Sequence, residues 1–221
     1  MNRKYILFSL LIIGSLISES SGQIFIEKDL EEGITEIVNF IISDEYSSLS
    51  KSRSDLELID TLYRRALVIH NNKIDEALLT LTFATLPFDE MPLHFPFTNI
   101  RMGAKLPSGP DNTLNMKIER LPKNVFIDSP KTNFGDKDKI AHFFGNAYLS
   151  YSISIFNLSK FLSILVELFE DAFKVEGTID NRDFIANFIG YHFGKQLLND
   201  YSYLPSSSFN IYTFFTLNYS Y

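Results

Sequence analysis

The chain of 221 residues contains no cysteine. This absence excludes a disulfide framework, a thiol nucleophile, a thiolate metal site and, within this sequence, lipid attachment through an N-terminal cysteine. The chain also lacks an excess of basic residues: 20 Lys and Arg stand against 27 Asp and Glu, which gives a formal net charge of −7. A basic nucleic-acid surface is therefore not expected, and nucleic acid is excluded as a partner.

Residues 1–22 have the pattern of an export signal. Arg3 and Lys4 form a charged start, an apolar run follows over residues 5–17, and small residues stand at its end. The run is short for a membrane span, and an uncleaved N-terminal anchor is the alternative interpretation. We therefore expect an exported protein, periplasmic or associated with the cell envelope, whose residues 23–221 form a single domain.

The N-terminal part of that domain, residues 23–86, is expected to be mostly helical. Residues 28–42 and 55–70 carry apolar side chains at the spacing of an amphipathic helix. In "TLTFATL", residues 80–86, the apolar period changes to two, which predicts a short strand that ends before Pro87.

The remaining segments differ sharply in proline content. Seven of the eight prolines lie between residues 87 and 130, so residues 87–136 are expected to form extended loops and short strands that cover the helices or carry function. Helical patterns then recur within residues 137–200, and the alternation in residues 205–221 predicts a C-terminal strand. The predicted fold class is mainly α with a minor β component, and a C-terminal three-helix core packs on the N-terminal helices. The three predicted core helices span residues 138–155, 159–175 and 181–198.

Two of the predicted core helices place polar residues and glycines on one face. At 100° per residue, Asp138, His142 and Asn146 fall within about 80° of one another. On the third core helix, the residues that share a face are Asp183, Asn187, Gly190 and Gly194. Helix capping by the acids and close helix packing at the glycines are the simpler interpretations of these positions. The middle helix carries Glu167, Glu170 and Asp171 on a face that is typical of solvent exposure.

The order and spacing of these motifs resemble a known family. The segments "DKIAH" (138–142), "ELFED" (167–171) and "DFIANFIGYHFG" (183–194) are similar to the VanZ-like proteins and the related YfiM-type predicted periplasmic lipoproteins. The resemblance covers about a quarter of the chain and implies that the motif residues form one site, although no established activity comes with it. Its motif residues here are Asp138, Lys139, His142, Glu167, Glu170, Asp183, Asn187, Gly190 and Gly194. The lipoprotein cysteine is missing, and Asp171 beside Glu170 leaves open which acid corresponds to the motif.

Three kinds of chemistry fit one histidine and several carboxylates that converge from three helices. They could form a buried hydrogen-bond network that fixes helix register, with Asp138, Asn146, Glu170, Asp171, Asn187, Gly190 and Gly194 as network or ligand positions. They could instead bind a divalent metal, with His142, Glu167, Glu170 and Asp183 as the candidate ligands.

The third possibility is acid–base catalysis in a metal-assisted hydrolase that acts on envelope material, with His142, Glu167 and Asp183 as the candidates. Because no nucleophile motif is visible, we rank the network and ligand binding above catalysis. The expected partners are an envelope component and, peripherally, the membrane; the sequence indicates no oligomeric state.

Overall fold

The computed structural model describes residues 28–94, 101–152 and 181–218. The predicted export signal and the predicted helix over residues 159–175 lie outside these residues. The predicted class, a mainly helical protein whose helices pack against one another, is confirmed. The described helices are α1 (Lys28–Ile41), α2 (Asp44–Ser50), α3 (Asp55–Ile69), α4 (Ile74–Ala84), α5 (Leu114–Arg120), α6 (Lys137–Ser152), α7 (Asn181–Leu197) and α8 (Pro205–Asn218).

Helices α1 and α3 agree with the predicted segments to within one residue at each end. Local sequence explains where α3 begins: the Ser54 side chain accepts a hydrogen bond from the Glu57 backbone N–H, and the Glu57 carboxylate accepts one from the Ser54 N–H. This reciprocal capping satisfies two backbone donors that the first turn of a helix leaves unpaired. The short helices α2 and α5 were not predicted.

The strand predicted for residues 80–86 is wrong, because these residues belong mostly to α4. The helix is buried on several sides, so its apolar and threonine positions do not produce a helical period. Two threonine hydroxyls donate to carbonyls one turn earlier, Thr82 to Leu78 at 2.8 Å and Thr85 to Leu81 at 2.8 Å. These hydrogen bonds allow a helix to accommodate threonines whose alternation with apolar residues had predicted a strand.

The C-terminal strand is also wrong, because residues 205–218 form α8. Pro205 stands at the first helical position, where its missing N–H costs nothing. The next residue is held by α3: the Ser206 backbone N–H and hydroxyl donate to the two carboxylate oxygens of Asp60, at 2.9 and 2.7 Å. This tertiary contact, 146 residues apart in sequence, was not visible in the local pattern.

The proline-rich segment contains one antiparallel pair of strands in its described part, β1 (Glu90–His94) and β2 (Arg101–Lys105). Glu90 pairs with Lys105 at one end of the ladder and His94 with Arg101 at the other. No helix of the described residues is long and apolar enough to cross a membrane.

The core brings α6 into contact with both halves of the chain. Helix α6 packs most extensively on α7 and next on α4, while α8 lies against α3 and α7. The fully buried ring of Phe143 lies 5.1 Å from that of Phe193 on α7 and 4.8 Å from that of Phe209 on α8. This aromatic packing fixes the position of α6, and with it the polar residues on the side of α6 that faces α7.

Candidate functional site

Helices α6 and α7 approach so closely because α7 carries glycines where the two backbones meet. A Cβ atom on Gly190 would lie 2.2 Å from the carbonyl oxygen of Phe143, and one on Gly194 would lie 2.3 Å from that of Ala147. Neither distance is sterically tolerable, so any side chain there would force the helices apart. These two glycines thus act in helix packing, and they bring the polar side chains of α6 and α7 within reach of one another.

Lys139 occupies the centre of the polar contact. Its ammonium nitrogen lies 2.6 Å from Asp138 Oδ2 and 2.6 Å from Asp183 Oδ1, and its side chain is only 5% exposed. Burial by itself would lower the pKa of Lys139, but the two carboxylates outweigh it and hold that pKa above its ordinary value. The Lys139 ammonium therefore forms an ion pair with a carboxylate on each of the two helices.

His142 belongs to a second, neutral part of the same contact. Its Nδ1 lies 3.1 Å from Asn187 Oδ1, which also accepts a hydrogen bond of 2.6 Å from Asn146 Nδ2. The same Asn146 amide donates to the His142 carbonyl oxygen at 2.9 Å. A carbonyl oxygen can only accept, so Asn146 presents Nδ2 and Asn187 presents Oδ1. In the neutral imidazole, Nδ1 then carries the proton and Nε2 carries the lone pair.

The lone-pair side of His142 faces Asp183. Nε2 and Asp183 Oδ1 are 3.7 Å apart, which is too long for a hydrogen bond. One ligand atom from each of Asp138, His142 and Asp183 lies within 4.8 Å of the other two. The three side chains are 20–28% exposed, so this group lies at the edge of the core and opens to solvent.

The structure thus brings together Asp138, His142, Asn146, Asp183 and Asn187, as the shared faces predict. Glu167, Glu170 and Asp171 lie outside the described residues, so the three predicted contributions from the middle helix stay predictions. The exposed His192 lies on the opposite side of α7 from Asp183 at 100° per residue, and its ring packs against Phe188 and Tyr191.

Sequence reasoning gave Lys139 no role beyond its place in the family motif, and it missed Asp136 altogether. Asp136 is fully buried directly before α6, accepts a hydrogen bond from the Ser129 hydroxyl and lies 3.4 Å from Arg182 Nη1. Burial raises the pKa of Asp136, and the Ser129 and Arg182 contacts only partly offset it. Its position just before a helix was the one available signal, and the same position fits an ordinary capping residue.

A further buried histidine, His70 at the end of α3, was also missed. Its Nε2 lies 2.7 Å from Thr80 Oγ1, and its Nδ1 lies 3.2 Å from Glu76 Oε2. A Cβ atom on Gly33 would come within 2.6 Å of the same ring. His70 is therefore enclosed by α1 and α4 as part of the packing. No regular spacing of residues in the sequence predicts that it is buried.

The chain matches no family model, no curated protein and no solved structure.

Proposed function

We propose that this chain is an exported structural or binding module of the cell envelope, in which the polar contact between α6 and α7 holds the helices in register. The observation that carries the proposal is the position of the Lys139 ammonium, 2.6 Å from a carboxylate on each helix. A buried charge is tolerated when it is paired, and this pairing joins the two helices directly.

The hydrogen bonds among His142, Asn146 and Asn187 support the same role. They pair His142 Nδ1, Asn146 Nδ2 and Asn187 Oδ1, whereas Asn146 Oδ1 accepts no hydrogen bond from the described residues. Close packing at Gly190 and Gly194 leaves little freedom for the helices to slide past one another. Polar contacts of this kind favour one register over others, because a shifted register would leave buried groups unpaired.

The alternative is a metal-assisted hydrolase that acts through Glu167 and His142. Glu167 lies outside the described residues, and the described partners of His142 are Asn187, at hydrogen-bond distance, and Asp183, which is 3.7 Å away. The hydrolase reading therefore stays a prediction.

We propose that α8 is the part of the module that contacts the envelope membrane. This helix of 14 residues contains no charged residue and exposes several large apolar side chains. The exposed ones are Ile211, Phe214, Phe215 and Leu217, with exposed fractions of 49–65%. Aromatic and aliphatic side chains on a helix surface favour peripheral contact with a membrane, which is the partner class expected from the sequence.

The role of Lys139 is tested with the substitution Lys139→Met, which keeps the aliphatic stem and removes the charge. Two carboxylates would then face each other without a counter-ion, so the free energy of unfolding should fall by about 3 kcal/mol. Urea denaturation followed by circular dichroism measures this change.

Lys105→Met is the matched control, because the Lys105 side chain is 72% exposed and its removal should cost less than about 0.5 kcal/mol. A Lys139→Met protein as stable as this control would overturn the structural role of the ion pair.

A further inference from the structure

We propose that Asp138, His142 and Asp183 form a binding site for a divalent transition cation such as Zn²⁺, and that Lys139 is its built-in competitor. The described ligands add Asp138 to the predicted His142 and Asp183, and the predicted contributions of Glu167 and Glu170 lie outside the described residues. The proposal goes beyond the structural role of the contact, since the same carboxylates would exchange an internal cation for an external one.

The orientation of His142 is the first support. Asn187 Oδ1 holds the Nδ1 proton at 3.1 Å, and Asn187 is itself fixed by Asn146. Histidines that ligate metals commonly donate the other ring N–H to an oxygen acceptor, which sets the tautomer and aims the free nitrogen. Here the free nitrogen is Nε2, and it is directed to the side of Asp183.

The separation of the two acceptors is the second support. Nε2 and Asp183 Oδ1, both without a proton in the neutral imidazole and the carboxylate, lie 3.7 Å apart. Ligands at about 2.1 Å from a tetrahedral zinc ion are about 3.4 Å from each other, so the separation of these two atoms is close to that of two zinc ligands. Asp138 brings a third ligand atom within 4.8 Å of both.

One carboxylate oxygen of the proposed site has no hydrogen-bond donor among the described residues. Asp138 Oδ1 is shielded from solvent and accepts no hydrogen bond from the described residues. The side chains of Asp138 and Asp183 are nevertheless 26% and 20% exposed, which leaves a route for an ion. Imidazole nitrogen together with carboxylate oxygen suits zinc and its neighbours better than Ca²⁺ or Mg²⁺, which prefer oxygen alone.

Lys139 weakens metal binding because its ammonium competes with the ion for the carboxylates. Its ammonium already lies 2.6 Å from both carboxylates and neutralises one of their two negative charges. A divalent ion must draw at least one carboxylate away from Lys139, so the two cations compete for the same oxygens. The remaining negative charge favours the ion, and the described residues supply three of the four ligands of a tetrahedral site.

Isothermal titration with ZnCl₂ tests the proposal on the wild-type protein and four variants. We expect one ion per chain and binding at least tenfold weaker in His142→Gln, which removes the imidazole ligand. Asn187→Ala removes the acceptor that orients His142 and leaves the three proposed ligands in place, so it should weaken binding by about tenfold. The exposed His192→Gln is the matched control and should leave the affinity unchanged.

Lys139→Met separates this proposal from the structural one. Loss of the competing ammonium should strengthen zinc binding at least tenfold even though the apo protein is less stable, so that zinc raises the melting temperature of Lys139→Met more than that of wild type. Should Lys139→Met be unfolded without metal, recovery of helical circular dichroism on adding ZnCl₂ gives the same answer. A wild-type protein that binds no zinc, or equal losses in His142→Gln and His192→Gln, would overturn the site and leave the structural role of Lys139 standing.

Discussion

Lys117 in α5 is a lysine that the fold buries completely. Its ammonium donates to the Ser108 carbonyl oxygen at 3.1 Å, and burial lowers the pKa of Lys117 to about 8, although the nearby Asp89 acts in the opposite direction. Unlike Lys139, which lies between two carboxylates, Lys117 is held mainly by a neutral acceptor. The two residues show that the same side chain is stabilised or penalised according to the charges around it.

The pH dependence of stability follows from this shift. Below about pH 8 both folded and unfolded chains hold the proton, and the folded state bears the full cost of the buried charge. As the pH rises from there towards the ordinary value of 10.5, the folded chain loses the proton before the unfolded chain does, so the free energy of unfolding rises. Lys117→Met should lack this rise and should be more stable than wild type at neutral pH. Urea denaturation of both proteins at several pH values measures it, and parallel pH profiles would contradict it.

The sequence predicted the site residues that share one face of a helix. It did not predict the role of Lys139, which reaches the site through its long side chain. His142, Asn146, Asp183 and Asn187 meet across one helix contact, because residues four apart lie on the same side of a helix. Lys139 is adjacent to Asp138 in sequence and does not share that face at 100° per residue. Its flexible stem carries the ammonium to the carboxylates, and helical geometry alone does not contain that information.

At the scale of elements, the apolar spacing was informative in α1 and α3 and misleading in α4 and α8. Helices α1 and α3 have a buried and an exposed side, so their apolar spacing shows the helical period. Helix α4 is enclosed by α1, α3 and α6, and α8 exposes apolar side chains, so in both helices burial and polarity are uncoupled. In α4, the alternation of threonines with apolar residues therefore indicated a strand period of two where the chain is helical.

The close pairing of α6 with α7 depends on the glycines of α7, and Gly190 tests this dependence. Gly190→Ala should destabilise the protein by about 2 kcal/mol, because its Cβ atom would meet the Phe143 carbonyl oxygen at 2.2 Å and the backbone can relieve that clash only by moving. Gly145→Ala on α6 is the matched control, because among the described residues its Cβ atom would meet the Thr82 side chain alone, the methyl group at 3.3 Å and the hydroxyl oxygen at 3.9 Å.

Alanine is favoured over glycine within a helix by about 1 kcal/mol, so the control should be neutral or stabilising. Urea denaturation of both variants gives the comparison. Equal effects would show that the glycines of α7 do not set the distance between the helices.

At the scale of the whole molecule, composition and periodicity were enough to predict a mainly helical protein. They were not enough to place the C-terminal segment, because its position depends on contacts with residues far away in sequence. Phe209 of α8 is fully buried, with its ring 4.8 Å from that of Phe143 and 5.4 Å from that of Phe126. Together with the hydrogen bonds from Ser206 to Asp60, these contacts attach α8 to three separate parts of the chain.

This attachment predicts that α8 unfolds together with the rest of the described helices. Phe209→Ala should lower the free energy of unfolding by about 3–5 kcal/mol, since it leaves a cavity next to Phe143 and Phe126. Phe214→Ala, at a position that is 65% exposed on the same helix, should change it by less than about 0.5 kcal/mol.

Far-ultraviolet circular dichroism reports on the helices, and fluorescence of the 11 tyrosines, undisturbed by tryptophan, reports on the packing. In a single cooperative unit, Phe209→Ala moves both transitions by the same amount, because loss of α8 packing is felt throughout the core. Two separated transitions in that variant would show instead that α8 docks on a core that is stable without it.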